Sequence, residues 1–385
     1  MRRTPHRHAR RLPGTVAGTV LAALCLASTA AAAWTVAPGT VLNNTNFTTG
    51  VHCGSASACL LVGQQSGVAS TALAATWDGT SFTQQTPVSS TAILWGATCG
   101  PTLCFAVGAD DGSGTYVPHA ETWNGTSFGS SSTATPSGST YSILYNAACP
   151  SSSLCFAVGY YQTATADLPL LESWNGTSWS LVSPSLPSGT TAAKLLDVAC
   201  TSASSCWAAG FVEVTGQPRR TLVLHWDGTS WTTQASANPS GAAAAQLQGI
   251  ACASASSCEA VGLYVDGSSV QHALAEVWDG TSWSVQSVPA PGGGASDPQL
   301  VDVSCSGASA CEAVGAVTSS GTTQPLAAGW NGTSWTLQSV PRAHGTSDAG
   351  LAGVSCPSTC MAVGYSLYDG STGISGVRPV VELGP

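Results

Sequence analysis

Glu259 and Glu312 each follow the second cysteine of a near-identical segment, "SSCEAVG" and "SACEAVG". Two carboxyls brought within range of one another could act as general acid and base on a glycosidic bond. Five sister segments carry Leu60, Phe105, Phe156, Trp207 and Met361 at that position, so a solvated edge position for the two acids is the competing reading. "GTSFG" (125–129) has the letters of a nucleophile elbow, but that motif requires a strand-to-helix turn, and its five sister segments lack the last glycine. "DDGSG" (110–114) is too short and irregular for a calcium loop. His52, His119, His225, His272 and His344 fall in unrelated contexts. Residue type and spacing therefore specify no catalytic set, no metal and no cofactor.

The cysteines carry chemistry of another kind. Cys25 aside, they form seven pairs: Cys53 and Cys59, Cys99 and Cys104, Cys149 and Cys155, Cys200 and Cys206, Cys252 and Cys258, Cys305 and Cys311, Cys356 and Cys360. Facing positions of a tight antiparallel hairpin bring Cα atoms to about 4.5–5.5 Å, within disulfide range. Closing a loop of about seven residues contributes roughly 2.4 kcal/mol in the chain-entropy model. Metal binding is the alternative, and it lacks both Cys-x₂-Cys spacing and a matched histidine set.

These pairs recur about every fifty residues, and a second motif recurs with them: "TWDGTSF", "TWNGTSF", "SWNGTSW", "HWDGTSW", "VWDGTSW" and "GWNGTSW". One unit reads as an apolar strand ending in Cys, a short loop, a strand opening Cys-x-Ala-Val-Gly, a variable loop, a strand ending in Trp, an Asp/Asn-Gly turn and a short aromatic strand. Four short strands per unit at that period predict the blades of a β-propeller, and the three-and-four apolar spacing of a helical solenoid is absent. Asp/Asn-Gly between strands predicts a type I′ hairpin, in which Trp278 faces Thr281 and Glu276 faces Trp283. Trp278 and Trp283 would then lie diagonally on one face, as core against the neighbouring blade rather than as ligand-stacking rings.

Seven cysteine pairs but six turns leave one blade unfinished. Its strands are expected at 351–356, 360–364 and 379–383, and "AWTVAP" (33–38) aligns with "SWTLQSVP" (334–341) to supply the fourth. The expectation is an all-β, seven-bladed propeller over residues 34–385. Its blades would fall near 49–89, 93–136, 143–187, 194–239, 247–291, 300–341 and 350–383 plus 34–41, closed by the N-terminal strand.

Residues 1–33 combine an Arg-rich start, an apolar run from Val16 to Ala27 and small residues before Trp34, the three-part pattern of a secretory signal peptide cleaved after Ala30 or Ala33. An uncleaved membrane anchor is the competing reading, for which the run is short. Arg10-Arg11 is a poor twin-arginine match, and Leu24 before Cys25 argues against a lipoprotein. Beyond the leader, Lys194, Arg219, Arg220, Arg342 and Arg378 face 19 acids, a net charge near −14. Such a balance repels phosphate backbones and excludes ordinary nucleic-acid binding. With no further hydrophobic span, the expectation is an exported, soluble monomer without cofactor.

The "W[DN]GTSW" units and their cysteine hairpins resemble the repeats of secreted β-propeller proteins from high-GC soil bacteria, over Trp34–Pro385. The turn is also similar to a reduced Asp-box, the hairpin of sialidases and related propellers, although the leading Ser and the spacing of that box are missing. The likeness implies fold rather than catalysis. A sialidase would need three converging arginines and a Tyr nucleophile with an acidic partner, and only four arginines lie beyond the leader.

In such a meander the cysteine hairpins and Asp/Asn-Gly turns share one side of the disc. The second-to-third-strand loops and the blade connections share the other. The first side is nearly uniform among the units and the second is not. Recognition residues tend to sit on such loops, and tyrosine suits sugar and polar contacts at low entropy cost. Candidate ligand contacts are Asp110 and Asp111, Tyr160 and Tyr161, Arg219 and Arg220, and Tyr365 and Tyr368; tolerant, solvated loops are the competing reading. The expected role is an exported binding or scaffold module for an extracellular glycan, another polymer or a protein. The alternatives are an extracellular glycan-active hydrolase of sialidase-like type and a structural envelope protein.

Overall fold

Strands with apolar residues on both faces must be covered on two sides, and a ring of radially stacked sheets achieves this with few exposed edges. The computed structural model describes residues 33–37, 46–65, 71–112, 114–342, 346–369 and 375–384. Those residues form seven four-stranded antiparallel sheets, the blades of a seven-bladed β-propeller. Blade 5 gives the pattern: Ala244–Ser254, Ser257–Val265, Gln271–Trp278 and Trp283–Gln286, in that order across the sheet. The first strands of neighbouring blades touch one another and enclose the central channel. The leader with Arg10, Arg11, Cys25 and the cleavage site after Ala30 lies outside the described residues, as do Ser113, His344 and positions 38–41 of the closing segment.

Closure uses the N-terminal segment. Thr35–Val36 pairs antiparallel with Ser375–Leu383, Thr35 opposite Leu383 and Val36 opposite Glu382, as the fourth strand of blade 7. Trp34 is buried with Val314, Leu351 and Ala362 at the junction with blade 6.

Each first strand carries a β-bulge at the same place, between Thr48 and Gly50 in blade 1 and between Leu195 and Asp197 in blade 4. The glycine four residues after each second cysteine, which ends "AVG" in five blades, "LVG" in blade 1 and "AAG" in blade 4, answers it. A Cβ on Gly63 would overlap the Phe47 carbonyl, and one on Gly210 the Lys194 carbonyl, so only glycine fits there.

The repeated turn differs from the type I′ expectation. Trp278 lies directly opposite Trp283, and the Asp279 N–H donates to the Ser282 carbonyl at 3.3 Å, so the turn centres on Gly280-Thr281, one residue later than expected. Only the glycine has positive φ, 94° at Gly280, whereas type I′ needs two such residues. An Asx cap overrides the Asx-Gly signal: Asp279 Oδ1 accepts from the Thr281 N–H, the Ser282 N–H and the Thr281 hydroxyl at 2.6–2.9 Å. Asn175 makes the same three bonds at 2.8–3.0 Å. In these two turns the cap uses only Oδ1, so Asp and Asn interchange there.

The seven cysteine pairs are bridged within their own blades, at Cα separations of 3.8–4.1 Å, closer than the expected spacing. Each bridge through the sixth blade continues sideways into the turn motif: Cys258 lies opposite Trp278, and the Trp278 indole donates to the Ala255 carbonyl in the cysteine loop. The second aromatic of the motif crosses to the previous blade. Trp179 meets Phe105 at 5.1 Å, Trp231 meets Phe156 at 5.0 Å and Trp283 meets Trp207 at 5.5 Å, so these rings are core.

Candidate functional site

The bulges of the seven first strands aim one residue per blade into the channel, at the side of the variable loops. Trp95 and Tyr145 come from blades 2 and 3, Thr49 and Gln248 from blades 1 and 5, and Leu196, Val301 and Ala352 from blades 4, 6 and 7. They line a cavity of about 290 Å³. Below them Asn146, Asp197 and Asp302 separate this cavity from a second, on the side of the cysteine hairpins.

Those three residues occupy the position after the bulge, where the other blades have Gly50, Gly96, Gly249 and Gly353. The space left by a neighbour's glycine admits a carboxyl. Asp197 accepts from the Val198 and Ile250 N–H groups, both at 2.7 Å, and from the Asn146 amide at 2.5 Å. Asp302 accepts from the Val303 N–H at 2.8 Å and the Val354 N–H at 2.7 Å. Each aspartate thus ties its blade to the next. Burial raises the Asp197 carboxyl to about 6, against the pull of its hydrogen bonds. Burial, and then the like charge of Asp197, pushes Asp302 well up.

An aromatic path leads from the cavity to the rim of blade 3. Trp95 meets Tyr145 edge-on at 6.1 Å, Tyr145 stacks on Tyr160 at 6.0 Å, and Tyr141 and Tyr116 continue the run. Lys194 Nζ lies 3.5 Å from the centre of the Tyr160 ring and pairs with Asp167 at 2.8 Å.

The residues singled out from the sequence are distributed around this face. Tyr160 is buried inside the aromatic run and Tyr161 is half-buried beside an apolar groove with Leu168 and Leu181. Asp110 is tied inward: burial alone would raise its carboxyl, but Ser89, Thr91, the Gly112 N–H and His119 hold it below its ordinary value. Asp111 is half-exposed next to it. Arg219 is a clamp, bonded to Glu213 at 2.7 Å and Gln246 at 3.1 Å above the Phe211 ring, while Arg220 is exposed. Tyr365 lies against Phe47 at 5.7 Å and lines a recess with Gln271, Asp297 and Gln299; Tyr368 is half-buried near the end of the same strand. Blades 3 and 7, which carry the two tyrosine pairs, stand across the ring from one another, so these residues do not converge on one point.

Glu259 and Glu312 occupy neither the solvated edge nor a shared acid–base site. Glu259 is 3% exposed and reaches Gln286 at 3.3 Å, and Gln286 in turn accepts from the Trp335 indole at 2.5 Å. Glu312 reaches Gln338 at 2.9 Å, which accepts from Trp34 at 2.6 Å. Each Glu-Gln pair fills the slot that Phe105, Phe156 and Trp207 fill in blades 2, 3 and 4. Burial raises Glu259 to about 8 and Glu312 to about 7.

Two sets of residues escaped sequence reasoning. The channel set was signalled by position: the third residue before each first cysteine reads Gly in four units and Asn or Asp in three. Glu121, Glu172 and Glu276 on third strands, each two residues before a tryptophan, are fully buried. They hold the connections from the preceding blades, Glu121 through the Val88 and Ser89 N–H groups and Glu276 through the Ser236 hydroxyl and the Ala237 N–H.

No protein-family model matches the chain, and no curated protein matches it. Among solved structures, the chain is similar to YjhT, with a TM-score of 0.51 and 12% identity over 79% of this chain and 100% of that one. It is equally similar to YCF48 from Cyanidioschyzon merolae, with a TM-score of 0.51 and 12% identity over 90% and 98%. At such identities the likeness is one of fold alone.

Proposed function

We propose that this chain is an exported binding or scaffold module that recognises an extracellular glycan, another extracellular polymer or a protein through the face carrying the variable loops and the channel mouth on that side. One observation carries the reading. Each bulge has the same backbone setting and is followed only by Gly, Asn or Asp, yet the side chain it presents differs in all seven blades. Packing demands repeat one residue, as they do for the "AVG" glycine; recognition does not.

The seven disulfides suit an oxidising compartment, and residues 1–33 are proposed as the signal that delivers the chain there. Among the described residues no helix is long and apolar enough to cross a membrane. We take the mature protein as a monomer that needs no cofactor and does not bind nucleic acid.

A glycan-active hydrolase is the second reading, favoured by Asp197 and Asp302 at the channel constriction. Both acids are committed to backbone donors of the next blade, which supports binding over hydrolysis. Incubation with an array of extracellular polysaccharides, scored for both retention and product release, tests the proposal. Retention without release is expected; release of sugar, abolished by Asp302→Asn, supports the hydrolase instead.

A further inference from the structure

We propose that the channel mouth is a subsite for a single neutral sugar ring, the terminal residue of a glycan that enters end-on. This deepens the binding role proposed above and rests on it.

The walls are unequal. Trp95 and Tyr145, half-buried neighbours at 6.1 Å, give one side two aromatic rings, and a pyranose offers apolar C–H faces to such rings. Opposite them, Val301 and Ala352 are short and leave the space open, and Gln248 keeps a buried Oε1 with no hydrogen-bond partner. A donor from a ligand hydroxyl satisfies that atom, which otherwise carries a desolvation cost.

The floor selects a neutral ligand. Asp197 and Asp302 already accept from peptide N–H groups, so neither needs a cation to compensate its charge. Two carboxyls at one constriction resist being ionised together. A sugar hydroxyl can donate to a carboxylate and accept from a carboxyl, and so fits either state.

Size and continuity set the mode of entry. About 290 Å³ lies at the lower end of small-ligand sites, room for one ring but not for a chain. Deeper in, the channel is lined by Asn146, Asp197 and Asp302, which also border the cavity on the cysteine side. The rest of the glycan leaves over Tyr145, Tyr141 and Tyr116 toward the rim of blade 3.

The test is calorimetric titration of the mature protein with glucose, galactose, mannose, fucose, xylose and N-acetylglucosamine in turn, with choline as a cationic probe. At least one sugar is expected to bind with a Kd of roughly 1 mM or tighter. Trp95→Ala should weaken it by about tenfold. Ala352→Phe, which fills the mouth while removing no contact, should abolish it, and both variants should keep the parental near-ultraviolet dichroism. If Trp95→Ala fails to fold, Ala352→Phe alone decides. The proposal is overturned if no sugar binds, if choline binds in their place, or if a bound sugar is indifferent to Ala352→Phe. Retention on a polysaccharide that survives Ala352→Phe, with no monosaccharide bound, removes the subsite and leaves the wider face reading intact. Absence of any polysaccharide retention by the parent protein removes the subsite and, with it, the glycan arm of the wider reading.

Discussion

The Trp34 indole donates to the Gln338 side chain at 2.6 Å across 304 positions of sequence, the same bond that Trp335 makes to Gln286 one blade earlier. Trp34 is therefore the fourth-strand tryptophan of blade 7, and the ring is closed through it. Trp34→Ala should cost about 3–5 kcal/mol, the usual range for a buried tryptophan. Trp34→Phe should cost less, and deletion of residues 34–41 should abolish cooperative melting. Urea unfolding checks all three; a deletion that unfolds like the parent would mean that another element closes the ring.

Stability should fall on the alkaline side. Burial raises Glu259 and Glu382 to about 8, and Glu172, Glu276 and Glu312 to about 7, all above their unfolded value. A raised carboxyl favours the fold fully below the unfolded pKa, about 4.5, and the advantage is lost as pH rises through 7 to 8. The turn aspartates act oppositely: hydrogen bonds hold Asp227 down at about 2, so its contribution is lost only in strong acid. The urea midpoint should be higher near about pH 5 than near about pH 9, and Glu259→Gln should flatten that slope. A midpoint that climbs toward pH 9 would refute the assignment.

At the repeated turn, Asp279→Asn should leave the melting temperature unchanged, because only Oδ1 is used. Asp279→Ala should lower it, since two N–H groups and a hydroxyl lose their acceptor together. Equal effects of the two substitutions would show that charge, not the cap, holds the turn.

The protein purified without reductant should have no free thiol, and mass mapping should find seven bridges, each within its own blade. Opening one should cost roughly 2.4 kcal/mol or less. A bridge linking two blades would contradict the hairpin placement.

Blade number, strand order and closure could be read from the sequence because seven copies report the same local physics: cysteines facing across a hairpin, an Asx-Gly turn, and a fourth strand missing at one end and present at the other. The turn register was misread because the Asx cap, a side-chain effect, shifts the centre from Asp279-Gly280 to Gly280-Thr281. Glu259 looked solvated because charge predicts exposure, while the Gln286 and Trp335 that accompany it lie on other strands. Asp197 and Asp302 were hidden because a bulge breaks strand alternation, and only a blade-by-blade comparison shows that they replace glycine at a channel position. Arg219 lies on the loop expected for it, whereas Tyr160 belongs to the second strand of blade 3 rather than to the loop after it, and local sequence does not tell that Lys194 covers Tyr160 and Glu213 holds Arg219.

Recognition by the variable face is tested most directly by comparing two double variants on the best-retained polymer from a panel of cellulose, chitin, xylan and peptidoglycan. Tyr365→Ala with Tyr368→Ala alters the variable face; Thr229→Ala with Ser230→Ala alters the opposite, uniform one. The account predicts that the tyrosine pair weakens binding about tenfold with a small shift in melting temperature, and that the turn pair leaves affinity unchanged. Binding that survives the tyrosine changes and is lost at Thr229 and Ser230 would make the repeated turn itself the recognition element.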